Sequence, residues 1–138
     1  MRWFPIWLLL VATTAAAEPN RYPVKFAEVH DADTFIVDVQ LDFELSLVGQ
    51  KIRAADCDAW EVSRVRQTVT ITDAELVKGK QARDAAAKLF ATRPIFMSVG
   101  KPLRDVYGRI LGQLWIQNAD GTWTKYGDWV RANGFQRN

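Results

Sequence analysis

Three short stretches of the sequence concentrate charged side chains beside predicted strands. The first holds Asp31 and Asp33 in the run DADT, the second runs from Arg53 to Glu61, and the third covers residues 104–109. A hard cation such as calcium takes several oxygen ligands, which carboxylates from separate strand ends can supply. Planar guanidinium groups match phosphate oxygens in a bidentate manner. Together the three stretches predict a site that holds a cation beside a phosphate.

Each of these residues also has an ordinary structural interpretation. Taken singly, Asp33, Asp58 and Glu61 are typical of a solvated turn. Arg53 differs, because it follows Ile52 at the end of a predicted strand, where a charge needs a partner or a function. It is the joint spacing of acids and arginines that favours a functional site.

The cysteine and histidine counts exclude two other kinds of site. Cys57 is the only cysteine, so the chain has no internal disulfide, and we expect this thiol to be buried and inert. A single cysteine and a single histidine, His30, cannot form a zinc cluster. We expect His30 to be structural or exposed.

Residues 1–17 have the pattern of a secretory signal peptide. One positive charge at Arg2 precedes an apolar stretch, and Ala15 and Ala17 have the spacing that signal peptidase reads. The apolar stretch is shorter than the roughly 20 residues of a membrane span, so a membrane helix is the less favoured alternative. We therefore expect cleavage after Ala17, a secreted or periplasmic protein, and no stable membrane insertion after cleavage.

The remaining 121 residues, 18–138, suit one domain. Because residues 1–17 contain one basic and no acidic residue, residues 18–138 carry 17 basic and 16 acidic side chains. This near-neutral balance argues against a broad attraction to polyanions, so any basic site must be local.

The elements that must position the charged stretches are mostly strands. Residues 23–29 predict a first strand, and the run TFIVDVQL after Asp33 predicts a second through its alternation of apolar and polar residues. The alternation continues to Leu47, so we expect the second strand to extend that far and to reverse at Gly49 and Gln50.

A helix and two further strands complete the predicted domain. Thr72 and Glu75 form a capping box, and Pro94 ends the helix that follows. Residues 61–71 are predicted to be a loop. Two strands, a turn at Asp120–Gly121 and a short C-terminal helix follow. This order predicts a β-rich α+β fold, a five-stranded OB-type barrel with one main helix and a short C-terminal helix.

The charged stretches also resemble the motifs of a known family, the staphylococcal nuclease or thermonuclease-like family. The family's Asp-Gly-Asp-Thr is matched by residues 31–34, and its Arg-Leu-x-Gly-Ile-Asp-x-Pro-Glu by residues 53–61. Its Asp-x-Tyr-Gly-Arg is intact as residues 105–109. The resemblance covers about residues 22–135, with the motifs in order.

The resemblance implies an OB-fold, calcium-dependent phosphodiesterase acting on DNA, with RNA as a second candidate substrate, as a monomer. By this resemblance the calcium ligands are Asp33, Asp58 and the backbone carbonyl of Ala59. Glu61 would activate the attacking water, and Arg53 and Arg109 would bind the phosphate. Tyr107 would lie near the nucleotide, and the products would carry 3′-phosphate ends.

Three departures from the family motifs keep an alternative open. Ala32 replaces a glycine, Trp60 replaces the proline before Glu61, and Asp56 adds a carboxylate beside the predicted site. A strained turn at Ala32 or a displaced Glu61 would impair catalysis. The alternative is therefore a catalytically impaired OB-type module that binds nucleic acid or another polyanion.

Overall fold

The computed structural model describes residues 18–63 and 70–137. The predicted signal peptide and most of the predicted loop at 61–71 lie outside these ranges. Among the described residues, no helix is both long and apolar enough to span a membrane.

Six strands and two helices form the described chain. They follow one another as β1 (Tyr22–Asp31), β2 (Thr34–Gln40), β3 (Ser46–Ala54), α1 (Asp73–Thr92), β4 (Ile95–Arg104), β5 (Ile110–Gln117), β6 (Trp123–Lys125) and α2 (Tyr126–Ala132). The sheet order is β3-β2-β1-β4-β5-β6, and a parallel pairing of β3 with β5 closes the first five strands into a barrel. The predicted barrel with a main helix and a short C-terminal helix is thus confirmed, and β6 is an additional strand.

The barrel core consists of the inward-facing residues of these strands. Along β2, the alternation seen in the sequence places Phe35, Val37 and Val39 inside. Phe35 packs edge to face against Phe26 and Phe90, which brings β1, β2 and α1 onto one aromatic cluster. Burial of large aromatic rings is a major source of folding free energy, so this cluster fixes how α1 sits on the barrel.

Helix α1 begins and ends where the sequence predicts. Thr72 is the N-cap, and it forms the reciprocal capping-box hydrogen bonds with Glu75. The helix ends at Thr92, two residues before Pro94. Its buried face is made of small residues and one leucine: Gly79, Ala82, Ala86 and Leu89.

The predicted reversal at Gly49 and Gln50 is wrong. The chain reverses earlier, at residues 42–45, where Phe43 and Glu44 both have a φ of 59° and the Leu45 amide donates to the Asp42 carbonyl. Left-handed φ at both central residues is the geometry that matches the twist of a β-hairpin. The sequence does not show this turn because neither residue is the glycine or asparagine that usually marks it.

Gly49 instead marks a bulge inside β3. Its φ is +66°, and its amide donates to Asp38 Oδ1 at 2.8 Å. The register shifts here, since Val37 pairs with Gln50 while Val39 pairs with Leu47. An extra residue with left-handed φ is the signature of a glycine bulge, which accentuates the strand twist.

Candidate functional site at the strand ends

The three charged stretches meet at one end of the barrel. The run DADT joins β1 to β2 through a two-residue turn, Ala32 and Asp33, with Asp31 paired to Thr34 across it. Thr34 pairs in turn with Arg53 of β3, and Arg53 pairs with Leu111 of β5. Strand register therefore brings the turn, the end of β3 and the start of β5 together, although they are far apart in sequence.

Asp33 is a buried carboxyl group with few positive neighbours. Its side chain is 6% exposed, and it lies beside the equally buried Asp31. Burial, together with the hydrogen bond and the charge of Asp31, raises the pKa of Asp33 to about 7. Arg53 and the Ala59 amide act in the opposite direction without cancelling the rise. Additional positive charge beside this carboxyl group would favour its ionised form at neutral pH.

Arg53 joins the two acidic stretches. Its Nη1 lies 3.2 Å from Asp33 Oδ2, and its Nη2 donates to Asp58 Oδ1 at 2.9 Å. Nη1 also donates to the carbonyl of Cys57 at 2.8 Å. The guanidinium group therefore holds the loop after β3 against the β1–β2 turn and brings the two carboxylates to a common centre.

Ala59 contributes its backbone to the same cluster. Its amide donates to Asp33 Oδ2 at 2.7 Å, and the residue is buried. Ala59 also forms an isolated antiparallel bridge with Gln136. Its predicted role as a carbonyl ligand stays a prediction.

Glu61 is held by contacts with α1 and with the C-terminal segment. Gly79 of α1 packs directly on the Trp60–Glu61 backbone, so closely that a Cβ at position 79 would overlap the Glu61 carbonyl. Arg137 Nη1 lies 4.0 Å from Glu61 Oε1. Burial raises the pKa of Glu61, and the charges of Asp33 and Asp58 add to the rise, whereas Arg137 and Arg53 lower it. The carboxylate is consequently more basic than an exposed glutamate.

Arg109 approaches the turn from the start of β5. Asp105 binds it, with Arg109 Nε donating to Oδ2 at 2.7 Å. Arg109 Nη1 also lies 3.4 Å from the hydroxyl of Thr34, which donates to Asp33 Oδ1 at 3.1 Å. The Arg109 guanidinium lies 5.4 Å from the ring of Tyr107, which is 81% exposed. Arg109 and Tyr107 thus form a half-exposed edge beside the carboxylates.

The three departures from the family motifs have local explanations. Only Phe43 and Glu44 have positive φ among the described non-glycine residues, so Ala32 does not strain the turn. Trp60 packs beside Lys78, whose Nζ lies 4.8 Å from the ring centroid. Asp56 Oδ2 accepts hydrogen bonds from Gln113 Nε2 and the Gly127 amide, so it ties the loop after β3 to β5 and α2.

The donor chemistry fits a hard cation, although the described residues, 18–63 and 70–137, contain no group of three acidic, histidine or cysteine side chains placed to hold a metal ion. Asp33 and Asp58 offer carboxylate oxygens, which calcium prefers. Because both carboxylates contact Arg53, a cation binding them must share them with this guanidinium group or displace it. The buried pair Asp31 and Asp33 supplies a reason to bind one, since a cation offsets their mutual repulsion.

Three residues around the site are not predicted from the sequence to lie there. Arg137 approaches Glu61, Tyr126 donates a hydrogen bond to the Ala32 carbonyl, and Gly79 supports the Glu61 backbone. The sequence does contain a signal for Gly79, because glycine is disfavoured inside a helix and is usually placed there by close packing or function. Arg137 and Tyr126 carried none, because their partners lie on distant segments.

Comparison with known proteins adds no family assignment. No protein-family model matches the chain, and no curated protein matches it either. The functional argument therefore rests on the residues and their geometry.

Proposed function

We propose that this protein is an exported calcium-dependent nuclease of the staphylococcal nuclease type, which hydrolyses phosphodiester bonds of DNA and, as a second substrate, RNA. One observation carries the proposal. Asp33, Arg53 and Asp58 form a continuous ion-paired cluster, and Arg109 reaches it through Thr34. A solvated surface would give no reason for two half-buried arginines to converge with the buried Asp33 and the exposed Asp58 on one strand end.

The roles follow from the chemistry of each side chain. Arg53 and Arg109 carry delocalised positive charge on partly buried side chains beside the carboxylates. There they would bind the phosphate and stabilise the negative charge that develops on its oxygens. Calcium, when bound at Asp33 and Asp58, would supply further positive charge to the same oxygens. Glu61, with its raised pKa, would accept the proton of the attacking water. The 5′ oxygen would leave, giving a 3′-phosphate and a 5′-hydroxyl end.

The exposed edge suits a polymeric substrate. Tyr107 and Val106 are both highly exposed beside Arg109, so a nucleotide can reach them without a conformational change. An aromatic ring at such a position can stack on a base, and base stacking tolerates different sequences. We therefore expect cleavage with weak sequence preference.

The decisive experiment measures cleavage of single- and double-stranded DNA and RNA by the purified protein, with calcium or with a chelator. We expect calcium-dependent cleavage that falls by about 10²- to 10⁴-fold in Glu61→Gln, which keeps the size of the side chain but cannot accept the proton. Glu28→Gln is the matched control, because Glu28 is an exposed glutamate on β1. It should cleave like the wild type.

Two results would reject the nuclease proposal. Absence of cleavage by folded protein at millimolar calcium, with retained binding of polynucleotide, would favour the OB-type binding module. Absence of both would leave the barrel as a scaffold with another function. Cleavage that survives Glu61→Gln would keep the nuclease but remove Glu61 from its proposed role.

A further inference from the structure

Tyr126 makes an unusual long-range hydrogen bond at the site. The residue is fully buried at the start of α2, and its hydroxyl donates to the Ala32 carbonyl at 2.6 Å. Ala32 lies between Asp31 and Asp33 in the β1–β2 turn. The aromatic ring of Tyr126 packs against Phe35 and Trp129, which fixes the direction of its hydroxyl group. A buried tyrosine hydroxyl needs a partner, and here the partner is the apex of the turn that carries Asp33.

The same helix is fastened to the loop that carries Asp58. Asp56 Oδ2 accepts a hydrogen bond from the Gly127 amide at 3.0 Å, and the Asp56 carbonyl accepts one from Arg131 Nη1 at 2.9 Å. A side chain at position 127 would overlap Asp56, so the glycine permits this approach. One short helix therefore contacts both segments that contribute the proposed cation ligands.

We propose that Tyr126 is a positioning residue, and that α2 sets the separation between the Asp33 turn and the Asp58 loop. The contacts that Arg53 and the Ala59 amide make between the two segments converge on a single atom, Asp33 Oδ2, so they leave the rest of the turn free to shift. The hydroxyl of Tyr126 holds the turn through the Ala32 carbonyl, and Asp56 holds the loop through the Gly127 amide of the same helix. Removing the hydroxyl leaves the buried Ala32 carbonyl without this partner, and the turn then relaxes. The effect on catalysis rests on the proposed nuclease function, whereas the effect on the turn does not.

The test variant is Tyr126→Phe, which removes one oxygen and keeps the ring. Tyr22→Phe is the matched control, because Tyr22 also packs against the barrel core from another strand. Two amides report directly on Asp33: that of Ala54 donates to its carbonyl, and that of Ala59 to its carboxylate. Their hydrogen exchange, measured by NMR with the Leu114 amide as a core reference, reports local opening of the turn.

We expect exchange of the Ala54 and Ala59 amides to accelerate about tenfold in Tyr126→Phe, beyond any change at Leu114. Calcium affinity should fall by a similar factor, and kcat should fall while KM for the polynucleotide changes little. Tyr22→Phe should leave all four quantities near the wild-type values. If Tyr126→Phe lowers stability uniformly and leaves the local exchange unchanged, the positioning role is wrong.

A second variant covers the case in which Tyr126→Phe does not fold. Asp56→Ala keeps Tyr126 and removes the side-chain hydrogen bond between the loop and the Gly127 amide of α2, so it should accelerate exchange at Ala59 more than at Leu114. Unchanged relative exchange there would also reject the proposal. Failure of the wild-type protein to bind calcium or cleave nucleic acid would reject the proposed function instead, and the exchange measurements would still decide the role of Tyr126.

Discussion

At the scale of single residues, the positive charge of a few arginines compensates part of the negative charge of two buried carboxyl groups. Asp31 and Asp33 are both almost fully buried, and Arg53 divides its guanidinium group between Asp33 and Asp58. The pKa of Asp33 near 7 shows that this compensation is incomplete. A site with unbalanced buried acids costs stability at neutral pH, and functional sites are where such costs are found.

Stability in the presence of a chelator should fall as pH rises from about 4 to about 7. In the unfolded chain Asp33 ionises near its ordinary pKa of 3.8, whereas in the folded protein it keeps its proton until about pH 7. The folded state therefore binds more protons across this window, and the contribution that is complete below pH 4 is lost above pH 7. Urea unfolding across this range measures the slope.

Asp33→Asn is the comparison for that measurement. The amide has a similar shape and does not ionise, so the decline between pH 4 and 7 should become shallower. Equal slopes in the two proteins would show that Asp33 does not carry the effect. Calcium, if it binds as proposed, should restore part of the stability of the wild type above pH 7 and little of it in the variant.

At the scale of elements, the site depends on how closely α1 and α2 approach the loop after β3. Gly79 brings α1 against the Glu61 carbonyl, and Gly127 brings α2 against Asp56. In both cases a backbone without a side chain permits the contact. Arg137 extends the same arrangement, because its amide donates to the Asp58 carbonyl at 2.7 Å. The loop is thereby enclosed by three segments that follow it in the chain.

Gly79→Ala should separate helix propensity from packing. Alanine is favoured over glycine inside a helix by about 1 kcal/mol, so propensity alone predicts a more stable protein. Because the added methyl group would overlap the Glu61 carbonyl, we expect a net loss of about 1 to 3 kcal/mol in the free energy of unfolding. The proposed nuclease activity should fall as well, since the overlap would displace Glu61.

Gly100→Ala is the control for this substitution. Gly100 lies in β4, and a Cβ there would meet no neighbouring atom. Urea unfolding and cleavage rate are measured for both variants. A Gly79→Ala protein that is more stable than the wild type and fully active would contradict the proposed packing.

At the scale of the whole molecule, one core joins the barrel to both helices. The buried cluster includes strand residues such as Leu114, α1 residues such as Leu89, and Tyr126 and Val130 of α2. Closure of the sheet by β3 and β5 encloses this core, and the described cysteine, Cys57, is free and buried within it. Burial raises the pKa of its thiol to about 12, which agrees with the inert role expected from the sequence.

Leu114→Ala should destabilise the barrel and the helices together. Leu114 is fully buried in β5, and removal of a buried leucine side chain typically costs about 2 to 5 kcal/mol. Because the core is shared, unfolding followed by far-ultraviolet circular dichroism and by tryptophan fluorescence should shift to the same new midpoint. Val48→Ala, at an exposed position of β3, should shift neither. Separate midpoints in Leu114→Ala would show that the helices do not depend on the barrel core.

The sequence by itself determined the features that depend on neighbouring residues. The alternation along β2, the capping box at Thr72 and the end of α1 before Pro94 are local patterns, and each is found in the structure. The class of fold followed from their order. The charged stretches were also visible, because acids and arginines beside apolar strands stand out in any chain.

The tertiary structure alone decided which groups meet. Tyr126 and Ala32 form a hydrogen bond although they are 94 residues apart. Gly79 packs against the Glu61 backbone, a contact that the hydrophobic periodicity of the sequence does not indicate. The turn at Phe43 and Glu44 also required the structure, because strand register overrode the weak preference of these residues for left-handed φ. Periodicity reports whether a residue is buried, whereas a hydrogen bond between distant segments depends on how the barrel closes. For that reason the sequence predicted the residues of the candidate site and the short C-terminal helix, but not the contacts by which that helix holds the site.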